Sequence, residues 1–121
     1  MAKILIVEDE KDIVNILKIA LEKHGYEVIS VQNGEEAIEK INLLIPDLII
    51  LDLMLPKVDG NSVNLKLKEN PQTQNIPVIV ITGKGQLREL FNLKEGVNIS
   101  GYFEKPFPVK ILINKVKELL K

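Results

Sequence analysis

The chain has 121 residues, 45% of them hydrophobic and 27% charged. That is the make-up of one soluble globular domain with no room for a second, so residues 1–121 read as a single unit. A net charge of −1 gives no footprint for a nucleic-acid backbone, and the absence of cysteine excludes disulfides, thiolate catalysis and cysteine-held zinc.

The first strand follows Met1-Ala2-Lys3 directly, as Ile4-Leu5-Ile6-Val7, which leaves no signal peptide in front of it. No apolar stretch approaches the roughly 20 residues a membrane helix needs. A soluble, cytoplasmic protein with no membrane insertion is therefore expected. Ile13, Val14, Ile16, Leu17, Ala20 and Leu21 then recur at spacings of three and four, the stripe of an amphipathic helix. His24-Gly25 ends it, glycine taking the left-handed cap and His24 facing the helix dipole. Glu27 to Val31 reads as a short second strand. Asn33-Gly34-Glu35-Glu36 opens a helix with a capping residue and acids in the positive first turn, and Ala37, Ile38, Ile41, Leu44 and Ile45 carry it to Pro46.

Leu48-Ile49-Ile50-Leu51, opened by Asp47 and followed by Asp52, reads as a strand buried on both faces. After a turn at Pro56 to Gly60, Val63, Leu65 and Leu67 give a mixed pattern assigned to a helix, closed by Asn70-Pro71. Val78 to Ile81 is the fourth strand, with Pro77 tolerated at its entry. Leu87, Leu90, Phe91 and Leu93 suggest a short fourth helix stopped by Gly96. Gly101 to Glu104 is the fifth strand. Val109, Leu112, Ile113, Val116, Leu119 and Leu120 form a closing amphipathic helix, whose Lys110, Lys115, Lys117 and Lys121 read as a solvated face.

Five strands alternating with five helices imply an α/β fold with a parallel sheet covered on both faces. Right-handed crossovers leave a Rossmann-like or a flavodoxin-like order, and five strands favour the doubly wound flavodoxin-like order 2-1-3-4-5. Four apolar strands end in polar groups: Glu8 and Asp9, Asp52, Thr82, and Lys105. In a parallel sheet these ends converge on one edge, where open α/β folds keep their chemistry. Three carboxylates about 5 Å apart repel by about 3 kcal/mol per pair at an effective dielectric of ~20, so they stay ionised together only beside cations. Lys105 supplies one positive charge and a divalent ion two more. Oxygen ligands without cysteine favour Mg²⁺. Asp52 can then serve as the nucleophile of a phosphoryl transfer, with Lys105 and the Thr82 hydroxyl on the phosphoryl oxygens.

Glu8-Asp9-Glu10 after the first strand, Asp52-Leu53-Met54-Leu55-Pro56 with Asp59-Gly60, Thr82-Gly83, and Lys105-Pro106-Phe107 together resemble a response-regulator receiver domain of two-component signalling, of the chemotaxis-regulator-like kind. The resemblance covers essentially the whole chain. It implies phosphorylation of Asp52 by a sensor histidine kinase or histidine phosphotransfer protein. It also implies metal binding by Glu8, Asp9, Asp52 and the Met54 carbonyl, and a switch pair of Thr82 and Tyr102. The Lys105–Pro106 bond is commonly cis in that family. Such a chain is a signalling switch rather than an enzyme, acts on a downstream protein target or output domain, and does not itself bind nucleic acid.

Departures accompany the resemblance. Glu8 stands where the family usually has Asp, and Gly83 where it has alanine. The stretch from Thr82 to Lys105 is one residue longer than usual, and Val97 to Ser100 lacks the usual acidic turn. Met54 and Lys84 flank the path of attacking water in that family, and an apolar and a long basic group there imply slow self-dephosphorylation. A haloacid-dehalogenase-type phosphatase would need an acid where Met54 stands. A flavin carrier on the same fold would not place three acids after its first strand. A degenerate receiver acting only as a binding module would not keep every acid, the hydroxyl and the lysine.

Overall fold

The computed structural model describes residues 1–53, 60–83 and 99–121. Five strands, β1 (Lys3–Val7), β2 (Glu27–Val31), β3 (Leu48–Asp52), β4 (Val78–Thr82) and β5 (Gly101–Glu104), alternate with four helices among the described residues. These are α1 (Lys11–Lys23), α2 (Gly34–Leu44), α3 (Gly60–Glu69) and α4 (Val109–Leu119). The helix expected around Leu87 to Leu93 lies outside the described residues. Every strand pair is parallel, and the order is β2-β1-β3-β4-β5, the flavodoxin-like arrangement expected from the alternation.

Residue parity in the strands divides the core into two layers. Leu5, Val7, Ile49, Leu51, Val78 and Val80 pack with Ala37 and Ile41 of α2 and with Val63 and Leu67 of α3. Ile4, Ile6, Leu48, Ile50, Ile79 and Ile81 pack on the other face with Leu17 and Leu21 of α1 and with Leu112, Ile113 and Val116 of α4. Strands β3 and β4 are buried along their whole length, which is why they carry branched apolar residues without alternation.

Local signals set the helix ends. Asn33 Oδ1 accepts from the Glu36 amide at 2.9 Å, capping α2 as expected. Gly25 follows α1 with φ +88°, the left-handed conformation anticipated for it, and exposed His24 is the C-cap. At the end of α2, Ile45 adopts φ 45° and ψ 69°, a conformation unfavourable for a β-branched residue. Helix α3 buries Val63 and Leu67 but leaves Leu65 exposed, so Leu65 is not a core residue. Of the α4 lysines, Lys110, Lys117 and Lys121 are exposed, whereas Lys115 is half-buried with its stem over Gly101. No helix among the described residues is long and apolar enough to cross a membrane.

Candidate functional site

The C-terminal ends of β1, β3, β4 and β5 meet at one edge of the sheet. Register puts Val7 of β1 beside Leu51 of β3, Asp52 beside Ile81 of β4, and Thr82 beside Glu104 of β5. Each polar residue that follows or ends a strand is thereby carried to the same rim. Carboxylate oxygens of Glu8, Asp9 and Asp52 lie within 4.8 Å of one another. Lys105 arrives from the far side of the rim; its amide donates to the Thr82 carbonyl at 2.7 Å, and its peptide bond to Pro106 is cis, as expected.

The Lys105 ammonium sits among three carboxylates. It lies 2.8 Å from Glu8 Oε1, 3.3 Å from Asp52 Oδ2 and 3.3 Å from Glu10 Oε1. The contacts to Asp52 and Glu10 are hydrogen bonds. The shorter approach to Glu8 is an ion pair short of hydrogen-bond alignment, so the buried Glu8 Oε1 has no aligned donor among the described residues. Glu8 Oε2 accepts from the Glu10 amide at 3.1 Å.

Burial governs the protonation of Glu8, which is 1% exposed. It raises the carboxyl pKa to about 8; Lys105 draws it down and Asp52 pushes it up further. Burial also disfavours the Lys105 ammonium, but Glu8, Asp52 and Glu10 outweigh that effect and hold its pKa above the ordinary lysine value. Among the described residues the site is thus an over-acidic cleft with one cation, Lys105, shared among its anions.

Thr82 is fully buried, and its Oγ1 has no hydrogen-bond partner among the described residues. Tyr102, on β5, is 47% exposed. Met54 and Lys84 lie outside the described residues. Glu10 is the contributor that motif reading passed over. It belongs to the visible run of three acids after β1, but its reach across to Lys105 is a tertiary fact. Beside the acids, Glu10, Ile13, Ile16, Leu17, Lys105, Phe107 and neighbouring residues line a largely apolar groove of about 510 Å³ between α1 and α4.

A magnesium ion fits this donor set. Three oxygen donors converge, and among the described residues one buried carboxylate oxygen has no aligned hydrogen-bond donor and the negative charge exceeds what Lys105 balances.

Residues 4–117 match the model of the response regulator receiver domain. The chain belongs to that family. Its members are signalling switches rather than true enzymes. Among curated relatives, the alkaline phosphatase synthesis transcriptional regulatory protein PhoP of Bacillus subtilis is 39% identical, over 98% of this chain and 48% of its own length. The DNA-binding dual master transcriptional regulator RpaA of Synechocystis is 38% identical, over 100% and 50%. This receiver chain spans about half the length of the curated relatives it matches. Among solved structures, the signal receiver domain of a signal transduction histidine kinase from Syntrophus aciditrophicus superposes with TM-score 0.89 at 37% identity, covering 99% of this chain and 90% of that one. The receiver domain of a Francisella response regulator gives TM-score 0.85 at 29% identity, covering 98% and 96%.

Proposed function

We propose that this receiver accepts a phosphoryl group on Asp52 from a phosphohistidine of a sensor histidine kinase or histidine phosphotransfer protein, in a Mg²⁺-dependent reaction. The observation that carries the reading is the meeting of Asp52, two further acids and the Lys105 ammonium at one sheet edge. An Asp52 carboxylate oxygen attacks phosphorus, the phosphorus–nitrogen bond breaks, and its electron pair leaves with the donor imidazole. Lys105 is within reach of the oxygens of a group carried on Asp52, and the Thr82 hydroxyl, which has no partner among the described residues, is available to donate to another. Glu8, Asp9, Asp52 and the Met54 carbonyl would hold the metal, which supplies positive charge to the transferring oxygens.

Thr82 and Tyr102 form the switch pair in this reading. The hydroxyl turns to the phosphoryl group, and the half-exposed ring moves inward behind it, remodelling the surface around β5 and α4 as a population shift. The apolar groove between α1 and α4 adjoins the acids and offers the donor a place to dock. The recipient of the signal is a downstream protein or an output domain. With a net charge of −1, DNA contact of the kind in RpaA's name would fall to another part of such a protein. The setting is cytoplasmic. Met54 and Lys84 favour a long-lived phosphorylated form, and decay within seconds would refute that detail.

Incubation with Mg²⁺ and acetyl phosphate, read by intact mass, tests the central claim. Wild type should gain one phosphoryl group and Asp52→Asn none. An unmodified wild type, or equal modification of the variant, would overturn it.

A further inference from the structure

Glu10 has an unusual position for the residue that opens a helix. It is the N-cap of α1, yet its side chain caps no amide of its own helix. Instead it crosses the cleft to Lys105, 95 residues away in sequence, and Oε1 accepts from Nζ at 3.3 Å. Of the three carboxylates around Lys105, Glu8 and Asp52 belong to the converging metal-type cluster and Glu10 does not. A cation held by that cluster would therefore leave the Glu10–Lys105 pair in place.

Exposure sets Glu10 further apart. The side chains of Glu8 and Asp52 are 0% and 5% exposed, whereas that of Glu10 is 60% exposed. Glu10 thus stands on the solvent side of the ammonium, the side from which a phosphoryl group must come. Lys105 has three N–H donors and, among the described residues, three carboxylate neighbours. Two of those donors are hydrogen-bonded to Asp52 and Glu10 and the ammonium also lies 2.8 Å from Glu8, so a phosphoryl oxygen competes with these carboxylates, and the exposed partner is the cheapest to displace.

We infer that Glu10 is a positioning residue that tethers Lys105, and that the incoming phosphoryl group must displace this tether, so that Glu10 restrains the rate of phosphoryl acceptance. The inference rests on the phosphoryl-accepting reading of Asp52. An ion pair of this exposure corresponds to a factor of roughly two to five in rate.

The test compares wild type, Glu10→Gln and Glu10→Asp with saturating Mg²⁺ and acetyl phosphate, following phosphorylation by intact mass. Aspartate keeps the charge but is one methylene too short for the contact. Both variants should therefore be phosphorylated about two- to fivefold faster than wild type. The ¹⁵N signal of the Lys105 ammonium, measured without donor, should exchange faster with water in both variants, a readout that a purely structural role would not move. Rates equal to or below wild type in both variants would overturn the tether. Acceleration by glutamine alone would also overturn it, since that is an effect of charge without the contact. If wild type takes up no phosphoryl group, it is the reading of Asp52 that fails; if wild type is modified and the variants match it, only the tether fails.

Discussion

Without metal, this protein should become less stable as pH rises from 6 to 8, and Glu8 is the reason. Its carboxyl is buried and its pKa is raised from 4.5 to about 8. The folded chain therefore binds a proton across that window which the unfolded chain has released, and stability falls with pH. The contribution is fully present below about 4.5 and gone above about 8. Integrating over pH 6 to 8 gives a loss of about 2 kcal/mol. For a chain of this length that is about 8 °C in melting temperature. Thermal melts in EDTA at half-unit pH steps would measure it. Glu8→Gln, which keeps the shape without the titrating proton, should flatten the profile over the same range. If Mg²⁺ binds as proposed, it must displace that proton, so its apparent affinity should rise toward pH 8 and its binding should offset the decline. A flat wild-type profile in EDTA, or an equal decline in Glu8→Gln, would refute the argument.

Two further predictions concern the scaffold. Asn64 of α3 is 1% exposed, and neither amide atom has a hydrogen-bond partner among the described residues. Asn64→Leu, with the same branching, should raise stability by about 1–2 kcal/mol in urea denaturation; a loss would mean that the amide has a partner in solution. Ile45→Gly relieves a left-handed β-branched residue and should stabilise by about 0.5–1 kcal/mol. A lower melting temperature for that variant would show that the side chain's packing outweighs its backbone strain.

The strands were the most legible part of this chain, for a definite reason. Ile49, Ile50, Val80 and Ile81 point alternately into two apolar layers, so burial on both faces writes an unbroken apolar run. Helix α3 was harder to read because only Val63 and Leu67 anchor it apolarly, while Leu65 breaks the stripe by facing out. The convergence of Glu8, Asp9, Asp52 and Lys105 followed from topology, since a parallel sheet must deliver all its strand ends to one rim. The carboxylate of Glu10 on Lys105 and the stem of Lys115 over Gly101 did not follow. Both depend on where a long flexible side chain comes to rest, and that is decided by distant neighbours rather than by spacing along the chain.

The strands that deliver the charged groups of the cleft are not equally constrained. Strands β1 and β3 have hydrogen-bonded neighbours on both sides, whereas β5, which leads to Lys105, is the outermost member of the ladder and only partly covered. The cleft therefore has one stiff wall, bearing its acids, and one compliant wall, bearing its cation. If charge is added between them, as the proposed phosphorylation would do, the displacement should fall mainly on the compliant side, which would make the margin formed by β5 the lever through which events inside the cleft reach the outside.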